Sequence, residues 1–233
     1  MSRNRKARLA GFLYLLLVIC GIIYLVYIPS QLIDLKDASK TFESIQNHEL
    51  LFRFGIVAGI CSFLIFIVLP FALYRLLSEV HSGYAKLMVI FAWISVPISF
   101  ANMLNKFSVL TLISKEAYLE KLGETELQTQ VMIYLENYNS GVQLSQIFWG
   151  LWLLPFGYFV FKSRFLPKLL GIFLMAGCFG YLIAFFGGFL VPDFGSTFLS
   201  EIVGIPAALG EIGICLWLLI MGANKLSFKR NRA

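Results

Sequence analysis

Charge is scarce in this chain. Asp, Glu, Lys and Arg make up 14% of its 233 residues, where a soluble domain carries roughly 25%. So few charges cannot cover the surface of a water-soluble fold of this length. Histidine is scarcer still. His48 and His81 are far apart, and no group of His, Cys, Asp and Glu has the spacing of a metal site, so no metal centre is expected. The four cysteines, Cys20, Cys61, Cys178 and Cys215, each fall inside an apolar run. None sits in a loop with a partner, which excludes a disulfide framework. There is no Gly-x-Ser-x-Gly and no cofactor-binding motif, so no cofactor is expected. The net charge of +6 does not mark a nucleic-acid binder. The basic residues cluster at the ends of the apolar runs, where they set topology and meet anionic lipid.

What the chain has in excess is apolar sequence, at 59% hydrophobic with a mean hydropathy of +0.80. Six runs approach the roughly 20 residues that cross a bilayer as helix: Leu9–Ile28, Leu51–Leu77, Leu87–Ile113, Val142–Phe161, Leu166–Val191 and Ile202–Met221. The first follows Arg3, Arg5, Lys6 and Arg8. It is too long for a signal-peptide core and no small-x-small cleavage site follows, so it reads as an uncleaved helix ended by Pro29. The expected fold is all-α: one six-helix transmembrane domain spanning residues 1–233, a multi-pass protein whose first partner is the lipid bilayer.

The flanks orient it. Thirteen Lys and Arg residues border one side, including Arg75, Lys86, Lys162, Arg164, Lys168, Lys225, Lys229, Arg230 and Arg232. Five border the other: Lys36, Lys40, Arg53, Lys115 and Lys121. The positive-inside rule then puts both termini in the cytoplasm. Acidic loop residues other than Glu79 fall on the external side, in agreement. Two external loops carry structure of their own. Thr41–Asn47 is expected as a short helix capped by Ser39 or Thr41. In the second loop Leu127, Val131, Leu135 and Tyr138 recur with helical period, while Glu124, Glu126, Gln128 and Gln130 take other faces. That pattern predicts an amphipathic helix at the outer surface.

Glu211 stands near the middle of the sixth run, where a lone carboxylate costs roughly 2.5–3.5 kcal/mol. It therefore needs a partner, a proton or a role. In the third run Ser95, Ser99, Asn102 and Lys106 share a helix face, with Asn105 beside it. Gln143, Gln146 and Gly150 form a stripe in the fourth, and Arg53 lies near the start of the second. The spans' directions bring these groups to similar depths, so a polar pocket in the outer half is expected. Glu211 is expected to face Arg53 or Lys106, and Arg53 is preferred because its planar fork holds a carboxylate at two points. The plainer reading of Lys106 is a side chain that snorkels to the outer interface. Gln143 and Gln146 also suit interhelical hydrogen bonding.

The stretch Ile147-Phe148-Trp149-Gly150-Leu151-Trp152-Leu153-Leu154-Pro155-Phe156-Gly157-Tyr158, with Lys162-Ser163-Arg164-Phe165-Leu166-Pro167 and Leu170-Gly171, resembles a bacterial family catalogued as domain of unknown function 4386. Arg8-Leu9-Ala10-Gly11, Leu51-Phe52-Arg53, Gly180-Tyr181-Leu182, Gly210-Glu211 and Leu216-Trp217-Leu218-Leu219 extend the resemblance over nearly the whole chain. It implies a multi-span protein of a bacterial cytoplasmic membrane. It names no activity, but it places Arg53 and Glu211 within a shared pattern.

Three functions compete. The first is a protein that binds or moves a small solute, ion or lipid headgroup, with Glu211 as the switchable charge, Arg53 as its counter-charge, and Lys106, Asn102, Asn105 and Gln146 lining the pocket. The second is a structural or accessory membrane subunit without a ligand. The third, an intramembrane enzyme, fits least well. Its best nucleophile and base, Ser99 and Lys106, are about 10 Å apart along the helix axis. Oligomeric state is open on this reading.

Overall fold

The computed structural model describes residues 2–77, 82–114, 116–163 and 165–223. Of the residues named above, Glu79, His81, Lys115, Arg164, Lys225, Lys229, Arg230 and Arg232 lie outside these. Among the described residues the regular structure is helical: α1 (Arg3–Ile22), α2 (Ile28–Leu32), α3 (Ala38–Asn47), α4 (Glu49–Leu77), α5 (Ser82–Leu112), α6 (Glu124–Leu151), α7 (Leu153–Lys162), α8 (Lys168–Leu190), α9 (Phe198–Ile202) and α10 (Ile205–Ile220). Six helical stretches are long and apolar enough to cross a membrane: Arg3–Leu32, Glu49–Leu77, Gly83–Leu112, Glu124–Lys162, Lys168–Leu190 and Phe198–Ile220.

Prolines shape these spans more gently than expected. Pro29 does not end the first. A π-helical turn over Ile23–Tyr27 joins α1 to α2, and the Ile28 amide bonds back to the Ile23 carbonyl. The wider turn gives the Pro29 ring room opposite the Leu25 carbonyl, so the helix continues to Leu32. In α4, Pro70 removes a backbone donor. The carbonyl it leaves without a helical donor is that of Phe66; the next carbonyl, Ile67, accepts from Trp93 Nε1 at 3.1 Å, so a side chain from α5 adds a hydrogen bond beside the proline. Between α6 and α7 the chain breaks only at Trp152, three residues before Pro155.

The loop helices also differ from expectation. α3 starts at Ala38, and its cap is Asp37, whose Oδ1 accepts from the Lys40 amide at 2.9 Å. Neither Ser39 nor Thr41 caps it. Thr41 is buried and instead ties down the preceding turn: its hydroxyl accepts from the Asp34 amide and donates to the Asp34 carbonyl, both at 2.8 Å. Asp34 also accepts from the Lys36 amide and pairs with Lys40 Nζ at 3.1 Å. Those donors hold its carboxyl below the usual carboxylate range. The amphipathic stretch of the second loop is continuous with the fourth apolar run as the single helix α6. Val131, Leu135 and Tyr138 are buried there, while Glu124, Glu126 and Glu136 are exposed.

The described chain clusters into two compact units. One comprises residues 1–15, 66–94 and 146–233; the other comprises 16–65 and 95–145. In the first unit, small residues bring backbones together. A Cβ on Gly11 would lie 2.8 Å from the Leu218 carbonyl carbon and from Leu219 Cα, so α1 rests directly on the α10 backbone. Gly157 and Gly171 do the same for α7 and α8, each Cβ position lying 2.7 Å from the other's carbonyl oxygen. Such contacts are how helices associate where apolar burial drives nothing. The second unit packs on aromatics: Tyr24 meets Phe63 edge-on at 5.7 Å, and Phe63 meets Phe100 at 5.3 Å.

Candidate functional site

The predicted polar residues are divided between the two compact units. Arg53, Asn102, Asn105 and Lys106 belong to the second unit, and Gln146 and Glu211 to the first.

Glu211 has tyrosine partners. The Tyr14 hydroxyl of α1 donates to Oε2 at 2.9 Å, and the Tyr181 hydroxyl of α8 donates to Oε1 at 3.3 Å. Tyr14 is fully buried, its ring set among Trp152 at 6.1 Å and Phe156 at 6.3 Å, which stack on each other at 5.2 Å. Tyr181 is seated by Gly150, where a Cβ would come within 2.7 Å of Tyr181 Cβ. One turn along α10, Cys215 Sγ donates to the Gly11 carbonyl at 3.7 Å. Two helices, α1 and α8, thus converge on the carboxylate of a third, α10, through neutral donors. Gln146 is half-buried on the same α6 segment as Gly150.

The expected Glu211–Arg53 pair is not formed. Arg53 is exposed, and its Nε meets Glu49 Oε1 at 2.6 Å one turn earlier on α4. A carboxylate at i−4 is the nearest partner a helical arginine has, and holding it there orders little chain.

Lys106 does not snorkel. Its side chain is buried, 2% exposed, and among the described residues no carboxylate or hydrogen-bond acceptor reaches it. Its Nζ lies 4.2 Å from the centre of the Tyr138 ring and 5.8 Å from that of Phe52. A cation over an aromatic face gains about 2 kcal/mol when desolvated, less than the several kcal/mol needed to remove an ammonium from water. Lys106 also lines a cavity of about 330 Å³ walled by Tyr24, Pro29, Ile33, Leu135, Tyr138 and Val142 among others. Among the described residues the buried Tyr138 hydroxyl has no hydrogen-bond partner. Asn102 fixes this arrangement: its Nδ2 donates to the Tyr138 carbonyl at 2.8 Å, and its Oδ1 accepts from Asn105 at 3.0 Å. Deeper on the same face, the Ser99 hydroxyl donates to the Ser95 carbonyl at 2.9 Å and lies 3.4 Å from Ser145 Oγ. The Ser145 hydroxyl in turn donates to the Gly141 carbonyl at 3.0 Å.

Sequence reasoning named the charged residues and missed the tyrosines that surround them. Tyr14 and Tyr24 both lie within the first apolar run. Tyr14 sits one turn beyond Gly11, the residue that brings α1 against α10. A polar-tipped aromatic so far from an interface was the available signal.

Six apolar helices, a carboxylate held by tyrosines and an ammonium lining an apolar cavity describe a polytopic helical membrane protein. The chain belongs to the family described as Domain of unknown function (DUF4386), which it matches over residues 9–222. No curated protein and no solved structure matches it.

Proposed function

We propose that this membrane protein binds a small amphiphilic anion in the Lys106 cavity, its head on the ammonium and its apolar body along the wall of Tyr24, Pro29, Ile33, Leu135 and Val142. One observation carries this reading: a buried ammonium without an anionic partner among the described residues faces a cavity of about 330 Å³, within the range typical of small-molecule sites. An anion completes the pairing that the described residues leave unmade. Asn102 and Asn105 act as the frame that positions Tyr138 rather than as ligand contacts. On the orientation set by the basic flanks, both termini are cytoplasmic and the cavity lies in the outer half of a bacterial cytoplasmic membrane.

The test is thermal unfolding of the detergent-purified protein with medium-chain carboxylates, alkyl phosphates and the matching neutral alcohols. An anionic amphiphile at one hundred times its Kd should stabilise by about 2.7 kcal/mol, and Lys106→Met should abolish the effect. If neutral alcohols work equally well, or the shift survives Lys106→Met, the reading fails.

A second reading, a structural or accessory subunit, draws on Glu211 and Arg53. Both already have partners within the chain, as a scaffold requires.

A further inference from the structure

We infer that Glu211 is a reversible proton-binding site, framed by Tyr14 and Tyr181 so that either protonation state keeps its hydrogen bonds. The inference is independent of the Lys106 cavity. It rests on what meets the carboxyl group: two hydroxyls from two other helices, Tyr14 at 2.9 Å and Tyr181 at 3.3 Å. Among the described residues the ion pairs are Lys40–Asp34 and Arg53–Glu49, and neither includes Glu211.

The choice of partners decides the chemistry. A lysine or arginine would fix the carboxylate in its charged form, because neither can accept a hydrogen bond. A tyrosine hydroxyl can donate or accept. With Glu211 charged, both tyrosines donate to it. With Glu211 protonated, one oxygen still accepts while the other carries the proton and donates it to a tyrosine oxygen. Only one hydroxyl has to turn round. Tyr181 makes the longer bond, so the Oε1 side is where the proton is placed. The reaction is carboxylate plus proton giving carboxylic acid, with no other bond made or broken.

Among the described residues, the titratable groups that hydrogen-bond to Glu211 are Tyr14 from α1 and Tyr181 from α8. Cys215, on α10 itself, is engaged with the Gly11 carbonyl. Trp152, at the break between α6 and α7, and Phe156 of α7 pack on the Tyr14 ring and bring no charge. Glu211 lies near the midpoint of α10, within a span long enough to cross the bilayer. A charge there is disfavoured unless held by donors, and a neutral acid is tolerated. Both states are therefore provided for.

Infrared difference spectroscopy across a pH titration of the full-length protein in lipid nanodiscs tests this. Wild type should show a protonated-carboxyl stretching band that comes and goes with pH, and Glu211→Gln should lose it. Tyr181→Phe keeps the carboxyl but removes the turning hydroxyl. It should shift the band and displace its midpoint by about one pH unit, a tenfold change in proton affinity. Lys106→Met should leave the titration unchanged, so failure of the ligand reading would not affect it. A band identical in wild type and Glu211→Gln would overturn the inference. So would a wild-type spectrum without a pH-dependent carboxyl band, or a titration that Tyr181→Phe leaves unmoved, and this last result needs no folded Glu211→Gln.

Discussion

At the scale of single residues, the charges that matter most are those with no opposite charge beside them. Arg53 is exposed and bonded within its own helix to Glu49. Arg53→Gln should therefore lower stability by no more than about 0.5 kcal/mol, as exposed i,i+4 pairs do, seen as a small change in Tm. Tyr14 is different: its hydroxyl is buried with the carboxyl it serves. Tyr14→Phe should cost about 1 kcal/mol or more, and Tyr181→Phe less because its bond is longer. Equal losses in thermal unfolding would contradict that ranking. Asp34 offers a pH test outside the spans. Its carboxyl is held below the ordinary value of 3.8, first by the Lys36 amide and then by Lys40. A depressed carboxyl stabilises the fold above its unfolded value and loses that contribution as pH falls through the folded one. NMR titration should place Asp34 below 3.8 and move it upward in Lys40→Met. Tyr14 and Tyr181 are far from Glu211 in the sequence, whereas Lys36 and Lys40 are near neighbours of Asp34 and Glu49 stands one helical turn before Arg53. That pair was legible in the sequence as i,i+4, but the need to neutralise Glu211 outweighed it.

At the scale of elements, contact geometry decides what a side chain can replace. Gly11 lies against the α10 backbone, where nothing can move aside cheaply. Gly11→Ala should lose about 1–3 kcal/mol, the usual cost of overpacking. Gly21, later in the same helix α1, has nothing within 4 Å of its Cβ position. Gly21→Ala should be neutral or stabilising by up to about 1 kcal/mol, since alanine favours helix. The two substitutions compared by thermal unfolding separate helix propensity from packing. The existence of each helix was legible because apolar residues fill runs of spanning length. Helix ends were less so. Pro29 looked like a terminator, and only the π-helical turn before it lets the helix continue. Asp37 displaced Ser39 and Thr41 as the cap of α3 because Thr41 was already committed to the Asp34 turn. Composition shows none of these competing hydrogen bonds.

At the scale of the whole molecule, the two polar centres belong to separate compact units. Lys106→Met should raise the stability of the ligand-free protein, because it removes a buried charge that lacks a counter-ion. Glu211→Gln should act on the other unit alone, so the double variant should show the sum of the two effects within about 0.5 kcal/mol. A larger coupling in thermal unfolding would mean that the centres communicate. The sequence by itself determined that this is a six-run membrane protein of the DUF4386 family, because spanning length and apolar content are properties of consecutive residues. It also determined that Glu211 and Lys106 each needed an explanation, because an isolated charge in an apolar run is costly wherever the run packs. Only the tertiary structure decided what answers each need. Tyr14 reaches Glu211 from 197 positions away, and Tyr138 comes over Lys106 on a different helix. Such partners are chosen by which helix faces meet, and a meeting of faces is a property of packing rather than of any stretch of chain.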